Sequence, residues 1–272
     1  MLKKLILMIF LLVLAGGCFS NKEDNDSYDI VWKVKDIVSE EVIDAEVKID
    51  SPLITDSATD NMVTIKKSGY YQKLGVVPLV YGQKNLIGYL TKNNSTAVMC
   101  NAAGKIVDEN GAAVSGAGVV FLGNFTAKKV ETDLNGMFKV ENIPVGDIEI
   151  YVYKNNYSYT LKKLKLSADI SNIEYTIESS SGKSYGDIYG NIKGYKDEIC
   201  GYSYVTLGIK DSGIYQYTFT DAQGNYAVYG MPYGSYNFTI KSPGFYKINS
   251  SSVTVDSALK TNNITMTIIS GV

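Results

Sequence analysis

Two stretches of this chain are built on one template: TDLNGMFKVENIPVGDIEIYV at 132–152 and TDAQGNYAVYGMPYGSYNFTI at 220–240. Thr132, Asp133, Gly136, Phe138, Pro144 and Gly146 return as Thr220, Asp221, Gly224, Tyr226, Pro232 and Gly234, at a constant offset of 88 and with no gap. A chain that carries one unit more than once folds as copies of a small domain, so the unit has to be understood first.

Thr-Asp-x-x-Gly is turn chemistry. An Asp side chain can accept backbone amides two residues on, and Gly takes the positive φ that closes the turn. Asp133, Gly136, Asp221 and Gly224 are read as such turn residues, and Pro144, Gly146, Pro232 and Gly234 as a second tight turn. Between and after the turns the pattern alternates. Phe138 and Val140 share a face, as do Tyr226 and Val228; Ile148, Ile150 and Val152 alternate with Asp147, Glu149 and Tyr151; Tyr236, Phe238 and Ile240 alternate with Ser235, Asn237, Thr239 and Lys241. Period two with one wet face marks an antiparallel sheet packed on one side.

The unit extends both ways. Gly104–Asp108 matches Gly190–Gly194, Gly116–Leu122 (GAGVVFL) matches Gly201–Leu207 (GYSYVTL), and Asn172–Ile177 matches Asn263–Ile268. A weaker copy lies upstream: Lys33–Asp36 aligns with Lys105–Asp108, Ala45, Val47 and Ile49 align with Ala117, Val119 and Phe121, and Ile65–Tyr71 resembles Ile240–Tyr246. Both signature turns are missing from it, so it is a shortened copy or an unrelated β segment. The fold expected is all-β, with tandem small antiparallel β-sandwiches of Greek-key type after an N-terminal signal peptide. The expected boundaries are 1–17 signal peptide, 18–27 tether, 28–96 degenerate sandwich, and 97–178 and 184–272 full sandwiches.

The N-terminus is processing signal, not fold. A charged Met1–Lys4 precedes an apolar Leu5–Leu14 and then Ala15-Gly16-Gly17-Cys18. This is short for a membrane span and ends in small residues. LAGGC resembles the lipobox of bacterial lipoproteins, with Ala15 where Leu is usual; a plain signal peptide with an incidental Cys18 is the alternative. The resemblance implies that Cys18 is acylated and anchors an exported chain in the lipid bilayer of the cell envelope, at the outer membrane or cell surface, with several chains giving stable attachment. Residues 19–27 (FSNKEDNDS) are a polar tether. Removing residues 1–17 leaves 24 Lys against 28 acidic residues, a net of −4, which offers no footprint for nucleic acid. Export permits disulfides. Cys100 and Cys200 fall in different copies and read either as two isolated buried thiols or as a bridge between copies.

Composition also limits chemistry. There is no His and no Arg, so all 26 basic residues are Lys. The commonest general base, the commonest metal ligand and the bidentate phosphate fork are therefore absent. Serine catalysis of the His-based kind cannot be built. Paired carboxylates can hydrolyse glycosides without His, yet the acids fixed by repeat position, Asp133 and Asp221, have a turn-forming explanation. Acidic loops such as Asp108-Glu109-Asn110 lack EF-hand spacing. The expectation is a non-enzyme with no catalytic residues, no metal and no cofactor.

The combined pattern G-x-[IV]-x-D…G-A-x-V…T-D-x-x-G-x-[FY]…P-x-G resembles the carboxypeptidase regulatory-like domain, a family with a transthyretin-like sandwich. It covers about residues 98–178 and 184–269 well and 28–96 poorly. The resemblance implies an accessory, spacer or binding module, and fold does not set activity. Collagen-adhesin B-type domains share much of the pattern and often hold a Lys–Asn isopeptide bond promoted by a Glu. That Glu would fall near Val152 or Ile240, both apolar, so no such bond is expected between Lys105 and Asn172.

The function expected is a spacer or protein-binding module with an envelope protein partner. The alternative is a carbohydrate-binding accessory lipoprotein. Of the 22 Tyr, Tyr202 and Tyr204 share one strand face and Tyr215 and Tyr217 another, as a stacking platform for sugar rings requires. Tyr151 and Tyr153 take the polar phase of their strand. Trp32 shares phase with Ile30 and Val34 and reads as core.

Overall fold

The computed structural model describes residues 31–49, 59–79, 85–93, 97–123, 126–208, 215–244 and 246–268. The expected signal segment, Cys18 and the tether lie outside the described residues. The protein is nearly all β, built of several small sheets that are mostly antiparallel, and its strands fall into three sequential units.

The middle unit shows the template whole. It runs β7 (Met99–Asp108), β8 (Gly118–Gly123), β9 (Thr126–Glu131), β10 (Met137–Pro144), β11 (Gly146–Tyr153), β12 (Thr160–Leu166) and β13 (Ile170–Ile177). One sheet is ordered β10-β7-β13 and the other β12-β11-β8-β9. Among its described strands, only β13 against β7 is parallel. The alternating residues Phe138, Val140, Ile148, Ile150 and Val152 meet Ile106, Val119 and Phe121 in one buried cluster between the two sheets.

The last unit repeats this order with β14 (Tyr185–Lys193), β15 (Tyr204–Gly208), β16 (Tyr215–Phe219), β17 (Asn225–Pro232), β18 (Gly234–Lys241) and β19 (Asn249–Val255). The seventh strand is broken into β20 (Leu259–Thr261) and β21 (Ile264–Thr265), both parallel to β14. Its sheets are β17-β14-β20 and β16-β15-β18-β19.

The first unit has β1 (Val31–Asp36), β2 (Val42–Ile43), β3 (Glu46–Ile49), β4 (Thr59–Lys66), β5 (Lys73–Leu79) and β6 (Asn85–Leu90), in sheets β2-β1-β6 and β3-β4-β5. Here β6 lies parallel to β1 as β13 does to β7. Among the described residues the hairpin of β9 and β10 has no counterpart, and the two-residue β2 fills the edge position that β10 holds in the middle unit. Trp32 and Val34 are buried in this unit's core.

The repeated letters have local causes. Asp133 Oδ1 accepts the amides of Asn135 and Met137, both at 2.8 Å. Asp221 Oδ1 does the same for Gln223 (2.8 Å) and Asn225 (2.9 Å). Gly136 and Gly224 sit at φ 73° and 79°. The preceding threonines are buried: Thr132 Oγ1 donates to the Val114 carbonyl and accepts the Ala117 amide, and Thr220 Oγ1 does likewise with Cys200 and Ser203. Gly104 and Gly190 are forced by a crossing chain. A Cβ at these positions would lie 2.0 Å from the Ile173 carbonyl and 1.9 Å from that of Asn262.

One correction follows. The match of Gly116–Leu122 to Gly201–Leu207 is one residue out of register. Thr132 binds Ala117 while Thr220 binds Ser203, so Gly116 corresponds to Tyr202. Both occupy the left-handed region, at φ 64° and 59°. Gly201, next door, drew the alignment onto itself. The units do not follow one another in space as they do in sequence, because both the first and the middle unit pack on the last.

Cys100 and Cys200 are free thiols, buried in separate clusters. Lys105 stands opposite Glu174 in the β7–β13 register, and Asn172 is exposed at a left-handed position (φ 72°).

Candidate functional site

The groups with the most distinctive chemistry gather where the units meet. At the junction of the middle and last units, Tyr151 and Tyr153 stand on the outer face of β11 yet are only 1% and 8% exposed. Alternation assigns them to the wet side of their own sheet; the last unit covers that side. Val120, Leu122 and Tyr185 complete the buried cluster, with Tyr159, Tyr217 and Tyr229 packed around it. The ring of Tyr153 lies against two glycines, Gly118 of its own unit and Gly230 of the other, where an added Cβ would come within 2.4 and 2.3 Å of the ring. Burying each of these rings contributes about 2 kcal/mol.

One carboxylate ties this junction together. Asp187 Oδ1 accepts the Tyr153 hydroxyl at 2.9 Å and the Gly230 amide at 2.8 Å, while Oδ2 accepts Lys129 Nζ at 2.9 Å. Lys129 also lies over the rings of Tyr153 and Tyr229 at 5.6 and 5.9 Å, an added attraction for a partly desolvated cation. Burial works against the charge on Lys129, but its hydrogen bond to Asp187 prevails and holds the ammonium protonated beyond the usual lysine range. Tyr151 places its hydroxyl 2.8 Å from Gln216 Oε1 and beside the Tyr229 carbonyl.

The junction of the first and last units is made differently. Tyr89 and Gly244 exchange backbone hydrogen bonds at 2.9 and 2.8 Å, so β6 reaches across to the chain that follows β18. The Tyr71 and Tyr202 rings stack at 3.7 Å and 5°. Thr91 Oγ1 donates to the Tyr202 carbonyl at 2.6 Å. Three ion pairs span the boundary: Lys73 with Glu198, Lys196 with Asp60, and Lys241 with Glu40. The Tyr246 hydroxyl donates to Glu198 Oε2 at 2.5 Å. One apolar cluster runs through both units, from Val63, Ile65 and Val77 to Tyr246, Met266 and Ile268.

Of the four tyrosines read as a stacking platform, Tyr202 lies at one junction and Tyr217 at the other. Tyr202 is stacked on Tyr71, which explains a bulky residue at a left-handed position that costs about 1 kcal/mol. Tyr217 packs against the other junction, and its ring is inclined 49° to that of Tyr204. The side chain of Tyr215 lies outside the described residues. Tyr204 packs beside Tyr217 and Phe219 of its own unit. What sequence reasoning missed is the set Lys129, Asp187, Gly230 and Tyr153. Their spacing carries no motif, and only the glycine in a strand, where the equivalent residue is Asn142, is an odd letter.

Comparison with known proteins bears on the last unit. Residues 187–268 match the carboxypeptidase regulatory-like domain. The middle unit shares the strand order of that match, with one continuous seventh strand in place of β20 and β21. No curated protein matches the chain at a significant level. Among solved structures, the Bacillus anthracis TIE protein is similar at 13% identity over 78% of this chain and 41% of its own, with a TM-score of 0.28. A streptococcal ancillary pilin gives 13% identity, 77% and 76% coverage and a TM-score of 0.26. A shaft pilin from Lactobacillus rhamnosus GG gives 10%, 64%, 99% and 0.29. The chain thus spans less than half the length of the first of these.

The buried phenols make a testable demand on pH. Burial raises Tyr70 and Tyr236 to about 12, and pushes Tyr151, Tyr153, Tyr226 and Tyr246 up as well. A phenol whose folded pKa exceeds its unfolded value of about 10 favours the folded state only while it stays protonated. Stability is therefore intact below about pH 10 and is lost as pH climbs through about 12. Absorbance titration of tyrosinate with parallel thermal melts should show ionisation and unfolding rising together; titration of nearly all tyrosines near pH 10 without unfolding would contradict this burial.

Proposed function

We propose that the chain is a non-catalytic lipoprotein of the cell envelope, anchored by acylated Cys18, whose units act as a stiff spacer that presents a protein-binding surface. The observation that carries this reading is the construction of the junctions. Side chains that a flexible string of domains would leave in water are buried between units and bonded across them. Among the described residues no three His, Cys, Asp or Glu side chains gather as metal ligands, and the strongly shifted groups Tyr151, Tyr153, Tyr246 and Lys129 are engaged in packing. No helix among the described residues is long and apolar enough to cross a membrane. Attachment in this reading rests on Cys18.

The test is the mass and partition of the protein made in a bacterial host. Acyl chains on an N-terminal Cys18 are expected, with the protein in the membrane fraction and Cys18→Ser releasing it. An unacylated mature chain in the soluble fraction would overturn the anchoring. Retention of envelope proteins by the immobilised 19–272 chain then tests the binding role.

A further inference from the structure

The middle and last units carry the same sheet, and they finish its free edge in opposite ways. In the middle unit the edge strand β12 (TLKKLKL) exposes Lys162, Lys163 and Lys165. Cross-strand neighbours on its outer face are Asp147 with Lys165 and Glu149 with Lys163. The corresponding pairs in the last unit are Ser235 with Thr254 and Asn237 with Ser252. Thus β19 (NSSSVTV) has no charge and no proline along its length. Lysines on an edge strand are a standard protection against pairing with another chain, and this edge has lost them.

No described strand pairs with β19 on its outer side. Ser250, Ser251, Ser252 and Thr254 are exposed, including Ser251, whose phase points toward the core. The opposite edge of the sheet, β16, is taken up against β9 and β17. Charge resumes only beyond the ends of β19, with exposed Lys247 before it and exposed Asp256 after it.

We propose that β19 is a homotypic docking edge: two copies of this chain pair β19 with β19 antiparallel, joining their four-stranded sheets into one. Antiparallel pairing brings Lys247 of each copy to the Asp256 end of the other, so opposite charges meet at both ends and small hydroxyls face each other between them. A parallel arrangement would set like charges together. The main-chain groups of the edge supply the bonds, as in other strand-addition contacts. Two anchored copies on one membrane would meet at high local concentration. The pairing goes beyond the spacer reading and does not depend on it.

Sedimentation equilibrium of the 19–272 chain across a concentration series tests this. A monomer–dimer equilibrium is expected. Ser252→Lys, which installs the residue the middle unit has at the equivalent Lys163, should weaken it by at least about tenfold by placing a lysine of each copy at the centre of the pairing. Because Ser252 is exposed, its unchanged thermal melt would confirm that folding is intact. Lys247→Glu should weaken association, and Lys247→Glu with Asp256→Lys should restore it. A chain monomeric to about millimolar concentration, an S252K variant that associates as before, or charge variants without effect would each overturn the proposal.

Discussion

Gly190→Ala should bring down two units at once. Its Cβ would stand 1.9 Å from the Asn262 carbonyl and about as close as 2.6 Å to the Tyr226 ring. Neither can retreat cheaply, because the carbonyl belongs to the chain between β20 and β21 and the Tyr226 hydroxyl is bonded to that same carbonyl at 2.6 Å. Overpacking of this severity costs about 3 kcal/mol or more. The first unit shares its apolar cluster with the last, so it should lose protection together with it. Gly104→Ala, with its Cβ 2.0 Å from the Ile173 carbonyl, carries a similar local cost but should spare the first unit. Hydrogen exchange read unit by unit distinguishes the two: equal loss of protection in the first unit for both variants would contradict the packing order.

Asp187→Ala is the second large effect. It removes the acceptor for the Tyr153 hydroxyl, the Gly230 amide and Lys129 at one stroke. The lysine is left largely buried with only the exposed Glu131 carboxylate, 3.2 Å away, against its charge; outright loss of a buried partner costs about 3 to 5 kcal/mol in other proteins. Since the Lys129 side chain retains 21% exposure, the lower end is expected. The loss should fall on the junction and not on either core. Denaturant unfolding is expected to split into two transitions, and limited proteolysis to cut between the middle and last units. Asp187→Asn keeps an acceptor and should cost less. An Asp187→Ala protein that unfolds in one transition at the original midpoint would show that the carboxylate does not hold the units together.

Much of each unit was legible in the sequence because it is local. The alternation of Ile148, Ile150 and Val152, and of Tyr236, Phe238 and Ile240, names the buried face without reference to anything distant. The all-β class follows from it. The junctions were not legible, for a definite reason. Alternation separates a strand's inner face from its outer face, but it does not say which outer face another unit will cover. Tyr151 and Tyr153 are in the outer phase and are buried all the same. Asp187 and Lys129 come from different copies of the template, so no spacing links them. Tyr202 reads as a strand residue beside Tyr204, yet it lies in a left-handed turn before β15, a position masked in the sequence by the glycine beside it.

The three units pack as one particle in which the last unit lies between the other two. Small-angle X-ray scattering of the 19–272 chain should give a profile that one rigid arrangement fits, unchanged between low and high salt, because the junctions are buried as well as charged. Scattering that requires independently moving units, or a chain-ordered arrangement with the middle unit at the centre, would contradict it.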